Sequence, residues 1–170
     1  MKAQHAILRF AKYKGPTVSR IEAHNERTKE TYASNPDIKT ELSKHNFHPV
    51  IPDGKYRDIS NRIIREAGCR VRKDSVTTVE VLITASPEFF EKKSRKEVKD
   101  FFDYAMEFMK SKQREDTYIS AVVHVDEKTP HMHLCSAVAP QLLSVTVYPL
   151  HEEFPPSSLT LPEDQSPHPV

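Results

Sequence analysis

Alternation of apolar and polar side chains divides the chain into segments. From Gln4 to Tyr13, His5, Ile7, Arg9 and Ala11 fall on one side and Ala6, Leu8, Phe10 and Lys12 on the other. This period of two predicts a first strand with both faces partly buried. Gly15-Pro16 breaks it. Val18 to Ala33 is mostly polar, with Val18, Ile21, Ala23 and Tyr32 as its few anchors, and reads as an exposed helix or helix plus loop. Asn35-Pro36-Asp37 signals a turn, and a short second strand is expected around Asn46 to Ile51, ended by Pro52-Asp53-Gly54. Tyr56 to Ala67 fits a helix with Ile59, Ile63 and Ile64 on one side and Gly68 as a left-handed cap. Val76 to Ala85, dense in Val, Thr and Ile, is the clearest strand. Ser86-Pro87-Glu88 opens a turn. Ser94-Arg95-Lys96-Glu97 is a capping-box signature for a long helix, along which Val98, Phe101, Phe102, Ala105, Met106 and Met109 form one apolar stripe. Tyr118 to Val125 predicts a further strand, the polar stretch Asp126 to Pro130 a hairpin loop, and the residues after it a last strand. The order implies an α+β fold, with helices covering one face of a mostly antiparallel central sheet.

The chain changes character after Ala139. Residues 140–170 hold seven of the 13 prolines and no Lys, Arg or Gly. Leu142 to Tyr148 alternates and is expected to pair as an edge strand, whereas Pro149 to Val170 has too little apolar content to fold alone. The expected organisation is a domain over 1–139 followed by a proline-rich, disordered tail over 140–170.

Composition narrows the classes. The 170 residues suffice for one domain with a sizeable core. A mean hydropathy of −0.62, no membrane-length apolar run and no signal-peptide pattern point to the cytoplasm. Cys69 and Cys135 form no CxxC pair. All 25 Lys and Arg residues lie at or before Lys128 with 20 of the 24 acidic ones, giving +5 for 1–128 and −4 for 129–170. A modestly basic front part is compatible with a polyanionic partner and equally with a mixed solvated surface. No Walker lysine motif, GxGxxG or serine elbow is present, which argues against nucleoside triphosphate chemistry.

The chemistry concentrates in His124-Val-Asp-Glu-Lys-Thr-Pro-His-Met-His133. His131 and His133 are two apart, so on a strand they share a face while Met132 points to the core. Folding the hairpin sets His124 beside them. A lone strand histidine is ordinarily structural. A pair at i, i+2 with a third across a hairpin makes a three-nitrogen site for a divalent metal, with positions left open for substrate or water. Asp126 and Glu127 are either solvated loop residues or, for Glu127, a carboxylate that orients a histidine or a water. His24, in Glu22-Ala23-His24-Asn25-Glu26-Arg27, is a weaker candidate, as are His5, His45 and His48.

With His24-Asn-Glu-Arg and the Asn35-Pro-Asp-Ile turn, that segment resembles the plasmid mobilisation relaxases of the MobV type, also called the Mob/Pre plasmid recombination enzymes, over residues 4–138. The resemblance implies a histidine-hydrophobic-histidine endonuclease fold that nicks one strand at a plasmid transfer origin and stays attached to the new 5′ end. It implies His24 as the nucleophile, His124, His131 and His133 as metal ligands and Glu127 as the acidic residue beside them. An older assignment places a tyrosine nucleophile in the strand matching Asn46-Phe47-His48, but Phe47 cannot attack. Arg20, Asn25, Arg27 and Lys29 are the expected DNA contacts. The implied cofactor is Mn²⁺ or Mg²⁺; an all-imidazole set favours Mn²⁺ or Zn²⁺ over Mg²⁺ on softness. The implied partners are single-stranded or supercoiled plasmid DNA and the conjugative coupling machinery.

Family members continue into further helices and a long charged C-terminal region. Here Cys135 onward soon gives way to the proline-rich run, so the resemblance implies a truncated or frame-shifted member, joined near Leu134 to Ala139 and without the dimerisation region. Three readings follow: a metal-dependent DNA strand transferase, a DNA-binding remnant of one that does not cut, and a metal-binding domain with structural histidines.

Overall fold

The structure, a computed structural model, describes residues 5–29, 32 and 35–138. The edge strand and tail expected beyond residue 138 lie outside them. Five strands form one sheet in the order β1-β3-β5-β4-β2: β1 (Ala6–Lys14), β2 (Phe47–Val50), β3 (Val76–Ala85), β4 (Tyr118–His124) and β5 (His131–Ala137). Every neighbouring pair is antiparallel. The expected α+β class and sheet are present, with β5, the carrier of two histidines, at the centre.

Helices cover both faces, a correction to the one-face expectation. On one face, α4 (Arg95–Lys112) lays Phe102, Ala105, Met106 and Met109 over Val81, Ile83, Ala121, Val123, Met132 and Leu134. On the other, α1 (Gly15–Asn25) and α2 (Tyr56–Glu66) contribute Val18, Tyr56, Ile59 and Ile64 to a smaller core with Ile119, Cys135 and Ala137. Strand alternation explains the division, because successive side chains of β3, β4 and β5 go to opposite cores. Met132 faces α4 while His131 and His133 face the α1 side, as the spacing predicts.

The segment read as exposed departs most from expectation. Pro16 does more than end β1; it sits in the first turn of α1, where its missing N–H costs nothing. Val18, Glu22 and Asn25, at steps of four and three, form the buried stripe of that helix. Only one of the three is apolar, so hydrophobic periodicity could not register it. Ser86-Pro87 likewise starts a short helix, α3 (Pro87–Phe90), where a turn was expected. The Ser94/Glu97 capping box at α4 and the left-handed Gly68 (φ +74°) after α2 are both found.

Candidate metal centre

The predicted hairpin is present, and its register sets His124 opposite His131 and Val122 opposite His133. All three rings therefore emerge on the face carrying α1 and α2. Their centroids form a compact triangle: 5.2 Å from His124 to His131, 4.9 Å from His124 to His133 and 5.0 Å from His131 to His133.

One nitrogen of each ring is held by the protein. His124 Nε2 donates to the Asn25 carbonyl oxygen at 2.8 Å, His131 Nδ1 to the Thr129 carbonyl oxygen at 2.9 Å, and His133 Nδ1 to Glu80 Oε1 at 2.9 Å. All three partners are acceptors, so each ring carries a proton on that nitrogen, and in the neutral form the lone pair is on the other. The free nitrogens are His124 Nδ1, His131 Nε2 and His133 Nε2. Two of them, His124 Nδ1 and His133 Nε2, are buried with no hydrogen-bond partner. Leaving such atoms unsatisfied costs about 1–3 kcal/mol each. Imidazole lone pairs aimed into one polar space are the donor set a divalent ion takes, and orientation by outer acceptors is the usual support of such ligands. The donor chemistry fits a divalent metal.

Among the described residues, ligand-capable atoms fall into two overlapping groups, each within 4.8 Å: His24, His124 and His133, and His124, Glu127 and His131. The predicted metal histidines are split between the two groups: His131 falls in one and His133 in the other, His124 belongs to both, and His24 and Glu127 complete one group each. His24 comes from the last turn of α1, with its ring 5.6 Å from that of His124 and 5.3 Å from that of His133. Burial, then the neighbouring His133 and Arg27, lower its pKa to about 4. Burial also lowers those of His124 and His131. These rings are neutral near pH 7.

Glu127 Oε1 lies 3.7 Å from His131 Nε2 and 4.0 Å from His124 Nδ1. Its carboxylate accepts from Arg27 at 2.6 Å and from Asn35 Nδ2 at 3.0 Å. Burial opposes ionisation, but those bonds and the nearby His131 hold the group below its ordinary pKa. Asp126 is buried rather than solvated. It accepts two bonds of 2.8 Å from Arg27, one of 2.6 Å from Ser43 and one of 2.9 Å from Asn46.

The four expected DNA contacts divide into two pairs. Arg20 and Lys29 are exposed on and just beyond α1. Asn25 is buried, donating to Glu80 Oε1 at 3.0 Å from beneath the site. Arg27 is committed to Asp126 and Glu127, and its backbone is left-handed (φ 51°), a conformation non-glycine residues seldom adopt. The structure gives both side chains protein partners where nucleic-acid contact was expected. His5 is exposed, His45 is half-buried with Arg95 Nη2 3.2 Å from its Nδ1, and His48 pairs with Glu26 at 3.0 Å. Phe47 packs toward the α4 core, on the face opposite the histidines.

Sequence reasoning missed Glu80. It lies at the middle of β3 opposite Cys135, buried, and accepts from Tyr13 at 3.0 Å as well as from Asn25 and His133. Burial would raise its pKa, yet the His133 hydrogen bond and charge, with Asn25 and Tyr13, lower it to about 2. A lone acid inside Val-Thr-Thr-Val-Glu-Val-Leu-Ile-Thr-Ala was the available signal, since a buried carboxylate needs partners. Asn35 was noticed only as a turn residue.

Residues 2–153 match the family model described as plasmid recombination enzyme. Among curated relatives, the plasmid recombination enzyme type 1 of Staphylococcus aureus is 34% identical over 134 residues, covering 76% of this chain and 33% of the relative. A Bacillus plasmid recombination enzyme is 36% identical over 133 residues, covering 76% of this chain and 32% of the relative. The chain therefore spans about a third of the length of these relatives. Among solved structures, the Mn-bound MobM relaxase domain with 22-nucleotide plasmid pMV158 oriT DNA bearing a 3′ thiophosphate is 31% identical with a TM-score of 0.72. That match covers 78% of this chain and 69% of the MobM chain. Family model, relatives and fold agree, and the chain belongs to the plasmid recombination enzyme (Mob/Pre) family.

Proposed function

We propose that this chain is the DNA-cutting core of a plasmid relaxase. It nicks single-stranded or supercoiled plasmid DNA at a transfer origin and becomes linked to the new 5′ end through His24. The observation that carries this reading is the set of three histidines, each tied by one nitrogen and free at the other, with the neutral His24 ring beside them. His124, His131 and His133 hold a divalent cation, Mn²⁺ or Mg²⁺; Mn²⁺ is bound in the related MobM structures. When bound, the ion supplies positive charge against the non-bridging oxygens of an anionic phosphodiester.

The chain's own residues do the rest. His24 attacks phosphorus, the nitrogen–phosphorus bond forms as the bond to the 3′ oxygen breaks, and the imidazole gives up its ring proton as that oxygen is protonated. Neutrality is the requirement for attack, and burial beside Arg27 and His133 favours it. Glu127 stands beside the reacting groups and fixes Arg27, which in turn holds the end of α1. Arg20 and Lys29 offer exposed charge to the flanking phosphates. Work at a transfer origin places the chain in the cytoplasm with the coupling machinery as a partner. Among the described residues no helix is long and apolar enough to cross a membrane.

The test is cleavage of a supercoiled plasmid carrying the cognate origin, with Mn²⁺ and then with chelator. The expected result is metal-dependent relaxation and a protein–DNA adduct at the 5′ end, absent in His24→Ala. Origin binding without relaxation selects a DNA-binding remnant that no longer cuts.

A further inference from the structure

We propose that before DNA arrives His24 is itself a ligand of the metal, closing the site with His124 and His133 until a phosphodiester oxygen displaces it. The inference rests on the metal-site half of the proposed function and adds a resting state to it. His24, His124 and His133 present nitrogens within 4.8 Å of one another. Two imidazoles on one ion stand at most about twice a 2.0–2.1 Å metal–nitrogen bond apart. Small ring rotations therefore bring all three onto a single ion. His124 Nδ1 and His133 Nε2 are buried and without a partner, so both are available to it.

Two features hold His24 there. The Asn25 carbonyl oxygen takes the Nε2 proton of His124, which ties the end of α1 to β4 one residue from His24. The Arg27 Nη1 atom lies 3.5 Å from His24 Nδ1 and 3.4 Å from Nε2. Both contacts are longer than an ordinary N–H hydrogen bond, so neither commits the ring nitrogen that it reaches. Arg27 is fixed by Asp126 and Glu127 and keeps the ring in that pose.

The consequence is a guarded nucleophile. While its lone pair is on the ion, His24 cannot attack adventitious phosphates. A DNA phosphate that binds the ion frees the imidazole at the moment its target arrives, coupling activation to substrate.

Co²⁺ alone, titrated into the whole chain and followed by its visible absorption and by calorimetry, tests this. His24→Ala and His24→Gln should weaken Co²⁺ binding about tenfold or more, since even outer-shell partners of a metal ligand are worth 10–100-fold. The d–d bands should shift, while far-UV circular dichroism remains that of the parent. His45→Ala, outside both ligand groups, should change neither. Dimethyl phosphate, the smallest convenient phosphodiester, should move the parent spectrum toward that of His24→Ala. Equal affinity and identical spectra for parent and folded His24 variants overturn the inference, as does a parent spectrum indifferent to dimethyl phosphate. A folded parent that binds no Co²⁺ overturns it together with the metal reading. A loaded parent that binds through His24 yet never nicks upholds the inference and counts against the proposed cleavage alone.

Discussion

Glu80 and His133 form a carboxylate–imidazole pair in which the acid decides the tautomer of the ring. With Nδ1 donating to Glu80, His133 must present Nε2 to the site. Glu80→Gln keeps the size but replaces one charged acceptor with an amide that can also donate, and the preferred tautomer weakens. Mn²⁺ affinity, measured by calorimetry, should fall 10–100-fold while the fold is retained. Tyr13→Phe removes only the donor to the far oxygen and should have a much smaller effect. The contrast with the three hairpin histidines shows what a sequence can display. His124, His131 and His133 are joined by a short loop and strand alternation, both local properties. Glu80 meets His133 across 53 residues, and Asn35 meets Glu127 across 92. Such partners are fixed by sheet order, which no local pattern encodes. Arg27 shows the same limit, because nothing near it in the sequence announces the two carboxylates that it binds 99 and 100 positions away.

At the scale of elements, β5 serves two layers at once. Met132 is fully buried under α4 while the residues on either side of it line the site. Met132→Leu preserves volume and should cost less than about 1.5 kcal/mol. Met132→Ala should cost about 2–5 kcal/mol in urea unfolding and blunt metal binding as the strand settles into the cavity. On the α4 side, the capping box sets the start of the helix that buries this methionine. Ser94→Ala should lower stability by about 1 kcal/mol. The Ser94 backbone and side chain, with Lys93, hold Glu97 at a pKa of about 2, below its ordinary value near 4.5. Its contribution is thus present above the unfolded pKa and is lost as pH falls from about 4.5 toward 2. Glu97→Gln should flatten that stretch of the stability profile relative to the parent, and near neutrality, where the carboxylate's contribution is fully present, the variant should be the less stable of the two. Both α4 and the hairpin were legible because their signals are dense and periodic. The buried side of α1 was not, because Glu22 and Asn25 are polar residues buried by hydrogen bonds and an ion pair rather than by hydrophobicity.

Among the described residues, the sheet carries a core on each face, built from residues up to Ala137. The last described backbone bond joins Val138 N–H to the Thr77 carbonyl oxygen. The sequence change at Ala139 then acquires a physical meaning that can be tested by ending the chain there. If the 1–139 unit is the folding unit, its thermal midpoint should match that of the full chain to within about 4 °C, the shift that roughly 1 kcal/mol produces in a domain of this size. A larger drop shows that residues 140–170 pack on the domain and that the proposed boundary is misplaced. The same shortening removes four acidic residues and no basic ones. Affinity for single-stranded DNA at low salt should therefore rise, and the gain should shrink as salt is added because the effect is long-range electrostatics. An unchanged affinity at every salt concentration means that the removed charges lie more than a Debye length from the bound strand. In that case the basic front of the molecule, with Arg20 and Lys29 beside His24, sets the DNA interaction alone.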